Sequence, residues 1–182
     1  MDESLEVNTP QNPKNAFSRL AKPIRSAMEE SGIKIPTDIQ KAALDPIFEG
    51  KNVLIVAPTG TGKTEAALLP IFSQLLSTPD RKGISLLYVT PLRALNRDLM
   101  KRLTFWSTKL NLTCDVRHGD TPRTQRERQT RRPPTILVTT PETLQAILPA
   151  RRMRQHLKNV QWVVVDEVHE LAQDKRGAQL TV

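Results

Sequence analysis

Hydrophobic residues recur at helical spacing over residues 16–31, where Phe17, Leu20, Ile24 and Met28 share one stripe and Gly32 follows as a stop. Pro36 and Thr37 open a second helical stretch that runs to about Gly50. Its start, Thr37-Asp38-Ile39-Gln40, has the form of a capping box. From Asn52 the pattern changes. Short runs rich in Val, Ile and Leu stand at about 53–57, 84–89, 112–117, 135–139 and 160–165, and most are separated by polar segments of helical length. Strands alternating with helices predict βαβ units, hence an α/β fold with a parallel β-sheet flanked by helices. The runs at 84–89 and 160–165 are nearly unbroken hydrophobes, as expected of strands covered on both faces. Pro70 falls inside the helix predicted after residue 64 and is expected to kink it or end a segment of it.

Composition narrows the class. At 182 residues, 38% of them hydrophobic, the chain is the size of one globular domain. No apolar run is long enough to span a bilayer, so no membrane partner is expected. Residues 1–15 are polar, acidic at Asp2, Glu3 and Glu6, and broken by Pro10 and Pro13; they read as a flexible lead-in without the apolar core of a signal peptide. Cys114 is the single cysteine, which excludes an internal disulfide and leads us to expect a reducing, cytoplasmic compartment. Its place in an alternating apolar segment marks it as a buried structural thiol. A net charge of +8 favours a polyanionic partner without naming one. Arg123, Arg126, Arg128, Arg131 and Arg132 form one basic cluster, and Arg151, Arg152, Arg154 and Lys158 another. Both a solvated surface and phosphate contacts fit them.

The strongest chemical signal is Ala57-Pro58-Thr59-Gly60-Thr61-Gly62-Lys63-Thr64, placed between the apolar run Val53–Val56 and a helix-forming run. Strand, glycine-containing loop, Gly-Lys-Thr and helix make the context of a P-loop. Gly60 and Gly62 let backbone N–H groups curl around an anion, and the head of the new helix offers further donors to it. Lys63 is suited to β- and γ-phosphates, and the Thr64 hydroxyl to Mg²⁺. Ala57 stands where the strict pattern has its first glycine. Val163-Val164-Val165-Asp166-Glu167 supplies the complement, a strand ending in two carboxylates. Asp166 is expected near that Mg²⁺, and Glu167 is placed to orient or deprotonate a water. Together the two segments point to hydrolysis of a nucleoside triphosphate. His169 fits either a relay to the γ-phosphate site or an ordinary helix start. Thr90-Pro91, Thr121-Pro122 and Thr140-Pro141 each read as an N-cap Thr with Pro in the first turn, and a parallel sheet would gather all three on its carboxyl edge. Such a row suits a backbone-phosphate track, although Thr-Pro also simply starts helices.

These segments resemble the motifs of superfamily 2 helicases of the DEAD/DEAH-like type. Ala57–Thr64 looks like motif I, where alanine in the first place is common, and Asp166-Glu167-Val168-His169 looks like motif II. Thr90-Pro91-Leu92-Arg93-Ala94-Leu95 and Thr139-Thr140-Pro141-Glu142-Thr143-Leu144 look like motifs Ia and Ib. Gln40, with Thr37 and Phe17, is loosely similar to the adenine-reading Q motif; completing the capping box is its other reading. Arg117-His118-Gly119-Asp120-Thr121-Pro122, the run Arg132–Glu142 and Asp174–Leu180 narrow the resemblance to the large helicase-related (Lhr) family. It implies ATP and Mg²⁺ as cofactors and single-stranded nucleic acid, DNA favoured, as partner, with 3′–5′ translocation in a repair or recombination setting. It also implies catalytic roles for Lys63, Asp166, Glu167 and His169, and ATP contacts from Gln40 and Ala57–Thr64. Thr90, Pro91, Arg93, Gly119, Asp120, Thr121, Thr140, Pro141 and Glu142 would hold the nucleic acid.

The resemblance covers about Phe17 to the last residue. It makes residues 16–182 a first RecA-like domain cut before motif III, whose hydrolysis and unwinding depend on a second RecA-like domain with an arginine finger. The expectation is therefore nucleotide binding with little turnover. A GTPase would carry an Asn-Lys-x-Asp motif, which is absent. A nucleotide kinase, a non-hydrolysing nucleic-acid-binding module and an RNA rather than DNA helicase stay open on the residues alone.

Overall fold

The computed structural model describes residues 17–78, 81–92 and 94–172. The chain divides into two compact units, Met1–Ser77 and Thr78–Val182. No helix among the described residues is long and apolar enough to cross a membrane.

The first unit is helical. A 3₁₀ turn at 17–19 leads into α1 (Lys22–Glu30), followed by α2 (Asp38–Phe48) and α3 (Lys63–Leu76). The expected stripe of Leu20, Ile24 and Met28 is buried. Pro23, in the first turn, moves the start of α1 to the middle of the predicted stretch. Gly32 lies beyond its end at φ 79°. α3 buries Leu68, Leu69, Phe72 and Leu75 and packs beside α1 and α2. Ala21 N–H donates to Ser73 Oγ (2.8 Å) and Gln74 Nε2 to the Ile47 carbonyl (3.0 Å), fastening α3 to both neighbours.

The second unit is built on four parallel strands, β1 (Leu86–Val89), β2 (Cys114–Arg117), β3 (Ile136–Thr139) and β4 (Trp162–Val165), in the order β2-β3-β1-β4. Between them run α4 (Arg97–Lys109), α5 (Arg123–Arg131), α6 (Pro141–Ile147) and α7 (Arg151–Leu157), with α8 (Val168–Ala172) after β4. β1 and β3 are fully buried, as unbroken apolar central strands should be. On one face Leu87, Val89 and Leu137 join Ile147 and Met153 from α6 and α7 in a core that Leu144, Leu157 and Val160 border. Cys114 is half-buried, where a fully buried thiol was expected; burial first, and the neighbouring Asp115 charge second, push its pKa up to about 12.

Four expectations are corrected. The run at 53–57 is not a strand: residues 51–58 have no regular structure, and Leu54 and Val56 are 75% and 78% exposed. A strand exists only through a ladder partner, and the sheet draws its four strands from other runs. The run at 160–165 does form β4, but Val163 and Val165 are 57% and 38% exposed, because the cover from α6 and α7 reaches the central strands and stops short of them. Of the two outcomes expected at Pro70, a kink or a helix end, the end does not occur. α3 continues through it, and burial of Leu69, Ile71, Phe72 and Pro70 itself offsets the lost N–H bond, a loss of about 3 kcal/mol. Finally, only Thr140-Pro141 caps a helix as expected. After Thr90-Pro91 the chain makes a turn closed by Ala94 and Leu95 N–H on the Pro91 carbonyl, and α4 waits for the better cap Asn96, whose Oδ1 accepts from Asp98 and Leu99. Thr121 accepts from His118 N–H instead (2.8 Å), leaving Pro122 at the head of α5.

Candidate nucleotide and nucleic-acid site

In the first unit, the loop 57–64 is shaped by its own polar groups. Gly60 and Gly62 lie in the left-handed region at φ 80° and 85°, which a side chain would strain. A Cβ at Gly62 would also fall 2.5 Å from Gln40 Nε2, so that side chain would have to move. Thr61 Oγ1 donates to the Pro58 carbonyl (2.8 Å), and Thr37 Oγ1 to the Thr61 carbonyl (3.0 Å). Lys63 Nζ turns back to the carbonyls of Ala57 (2.7 Å) and Pro58 (2.9 Å), which keeps the ammonium at the loop. Lys63 and Thr64 begin α3, whose N-cap Gly62 brings no side-chain oxygen. A helix start of this kind is suited to an anion.

Gln40 is buried behind this loop. Its Oε1 accepts from Thr37 N–H (3.1 Å) while its own N–H donates to Thr37 Oγ1 (3.4 Å), completing the capping box. Its Nε2 donates to the Gly62 carbonyl (3.4 Å). One side chain therefore ties the start of α2 to the loop 57–64, a link that the capping pattern alone does not reveal.

In the second unit, β4 delivers the carboxylate pair. Asp166 N–H donates to the Val89 carbonyl (2.8 Å), extending the β1–β4 ladder to the motif itself. The Tyr88 hydroxyl donates to Asp166 Oδ2 (2.6 Å), and Glu167 N–H to Asp166 Oδ1 (2.9 Å). Glu167 adopts φ 51°, a left-handed conformation that costs a non-glycine residue on the order of 1 kcal/mol. His169 Nδ1 stands 3.4 Å from Glu167 Oε2. Tyr88 escaped the sequence reading. Its signal is a phenol in an otherwise aliphatic buried run, since a buried tyrosine hydroxyl needs a partner.

The carboxyl edge of the same sheet gathers most of the residues expected to hold nucleic acid. Thr90 follows β1, Gly119, Asp120 and Thr121 follow β2, and Thr140, Pro141 and Glu142 follow β3. Thr90 N–H donates to the Thr139 carbonyl (3.0 Å), while its Oγ1 is buried with no partner among the described residues. Thr140 Oγ1 caps α6 through Thr143 N–H (3.4 Å). Arg126 clamps the turn after β2 through the Gly119 carbonyl. Burial, then the nearby Arg126 charge, lowers the pKa of Arg117 beneath it. Arg93 and the segment Asp174–Leu180 lie outside the described residues.

Thr64 in the first unit and Asp166 in the second each offer only oxygen, the donor type that Mg²⁺ prefers. A carboxylate accepts about four hydrogen bonds, so the two that Asp166 receives leave it free lone pairs for a cation.

The family profile of the DEAD/DEAH box helicases matches residues 37–182, and the chain belongs to that family. Within it the likeness narrows to Lhr-type helicases. The chain is 38% identical over 192 residues to the ATP-dependent helicase Lhr-Core of Sulfolobus acidocaldarius, an alignment covering 99% of this chain and 22% of that protein. The solved structure of the Mycobacterium smegmatis helicase Lhr bound to ssDNA and AMP-PNP superposes with a TM-score of 0.80 at 38% identity, covering 91% of this chain and 22% of that one. The fold is also that of the DEAD-box helicase Mss116 bound to ssRNA and UDP-BeF, with a TM-score of 0.82 at 23% identity over 94% of this chain and 36% of that one. The chain thus spans about a fifth of the length of the Lhr proteins it matches.

Proposed function

We propose that residues 16–182 form the first RecA-like part of an Lhr-type, ATP-dependent DNA helicase that moves 3′–5′ along a single strand, with a second RecA-like domain of the whole enzyme completing hydrolysis. Lys63 and the loop amides hold the β- and γ-phosphates, and Gln40 reads adenine while it braces the loop. Thr64 and Asp166 hold Mg²⁺, which when bound neutralises phosphate charge. Glu167 orients the attacking water, and His169, beside it, relays between that site and the moving parts. Thr90, Pro91, Arg93, Gly119–Thr121 and Thr140–Glu142 grip the strand through its backbone, without reading sequence. The reading rests chiefly on the phosphate loop, where an ammonium held by two backbone carbonyls is ready to exchange them for phosphate oxygens. It is supported by the Lhr relative whose structure holds ssDNA and AMP-PNP.

Equilibrium titration with a fluorescent ATP analogue tests it. Lys63→Ala removes a charged donor and should weaken binding about tenfold or more. Gln40→Ala should cost about 1 kcal/mol of stability through the lost cap and also weaken the analogue's binding. The chain alone should bind ATP with little turnover. Equal affinity in the parent and Lys63→Ala would sink the proposal.

A further inference from the structure

The amino edge of the sheet, opposite the strand ends that carry Asp166 and Glu167, bears a run of exposed positive charge. Lys109 precedes β2, Arg131 and Arg132 precede β3, Lys82 precedes β1, and Lys158 precedes β4; all five are exposed. In the spatial order β2-β3-β1-β4 these lead-ins make a row. At the usual strand separation it is about 14 Å long. No Asp or Glu occurs in residues 81–85, 109–113, 130–135 or 154–161. The carboxyl edge differs: Asp120, Glu142, Asp166 and Glu167 all follow strand ends there.

The row is held by the fold. His156 Nε2 lies 2.9 Å from the Thr130 carbonyl, which joins the end of α5 to the last turn of α7. Gly83, at φ 74°, passes so close that a Cβ would stand 3.1 Å from the His156 carbonyl. The lead-ins of β1, β3 and β4 therefore converge on one residue. Helix ends explain part of the charge, since α4, α5 and α7 all finish at this edge and their carbonyl ends favour cations. Three such ends offset only about one and a half charges, well short of the row. No Phe, Tyr or Trp stands in these lead-ins to stack on an unpaired base. What the edge offers is fixed, exposed positive charge, over a length on which one strand of a duplex carries about four phosphates.

We propose that this amino edge binds the phosphate backbone of duplex nucleic acid, a second contact separate from the single-strand track of the proposed function. The test compares the full chain with Arg131→Gln/Arg132→Gln and, independently, Lys82→Gln/Lys158→Gln. All four side chains are exposed, so at least one double variant should fold as the parent does, as judged by circular dichroism. The probes are a short blunt-ended duplex and an oligothymidylate, each titrated over a salt series. Each double variant should bind the duplex about tenfold more weakly at low salt and lose about 1.8 from the salt slope, with oligothymidylate affinity unchanged. Arg93→Ala should do the reverse, so failure of the single-strand track shows in that variant alone. Unchanged duplex binding in both double variants overturns the proposal. So does an equal loss for both probes, or competition by polyglutamate as effective as by unlabelled duplex.

Discussion

The two borders of the sheet handle the same structural problem in opposite ways. Strand β2 is polar, Cys-Asp-Val-Arg, and α5 closes over it. Gln125 Nε2 and Arg128 Nη2 take the two oxygens of Asp115 at 2.8 Å each, and Gln129 Nε2 donates to the Val116 carbonyl (2.8 Å). A border strand with its carboxylate paired and its backbone oxygen occupied gives a foreign strand little to add to. Strand β4 is Trp-Val-Val-Val, and only its inner side is paired among the described residues. Its register with β1 sets Val163 beside Leu87 and Val165 beside Val89. Leu87 and Val89 are buried, yet their two β4 neighbours on that face are exposed. An apolar strand needs cover, and neighbouring elements decide whether it gets it. A border strand can also be finished by side chains from its own following helix, as α5 does for β2.

The sharpest way to break the comparison is to truncate the middle of the row that links the two borders. On one face Asp115, Leu137, Leu87 and Val163 lie side by side across the four strands. Leu137 is fully buried between the two borders. Leu137→Ala should cost about 2–5 kcal/mol in urea unfolding, through lost burial and the cavity left behind. A cost below about 1 kcal/mol would mean that the centre of this face is packed no better than its β4 border.

A smaller effect isolates the β2 border. Burial acts to raise the Asp115 carboxyl, but hydrogen bonds from Arg128, Gln129 and Gln125 outweigh it and hold the group below its ordinary value. A carboxylate lowered in the folded chain adds stability that is fully present above the unfolded pKa, near 3.9, and is lost as pH falls below it. The parent should therefore lose this contribution below about pH 4, as read by denaturant midpoints against pH. Asp115→Asn should be less stable at neutral pH by about 1 kcal/mol, since the Arg128 partner is largely exposed, and should show a shallower acid loss. An unchanged acid limb in the variant would remove Asp115 from the account of how this border is closed.

Much of this was legible in the sequence because it is local. The capping box at Thr37–Gln40 and the four strand positions at 84–89, 112–117, 135–139 and 160–165 depend on neighbours in the chain, and each forms where the pattern put it. Local chemistry also set the glycine conformations of the loop 57–64. What the pattern could not carry was partnership. The run at 53–57 has a strand's composition but no ladder, and Thr90-Pro91 has a helix start's composition but loses the cap to Asn96. Tyr88 and Asp166 lie far apart in sequence, so their bond follows from the parallel β1–β4 pairing and not from either segment alone. The same holds for Gln40, whose capping role was visible and whose grip on the Gly62 carbonyl was not.

The smallest expected effect is the most exacting for the comparison. Val163→Thr keeps the β-branched shape, which suits a strand, and exchanges one methyl for a hydroxyl. In a buried position that hydroxyl would lose its water and cost about 1–3 kcal/mol. At 57% exposure the hydroxyl keeps its water, and the lost methyl was contributing little. The denaturant midpoint should therefore stay within about 0.5 kcal/mol of the parent, in contrast to the large loss at Leu137 on the same face. A loss of about 2 kcal/mol would place Val163 under apolar cover in solution and make the two borders alike in being closed.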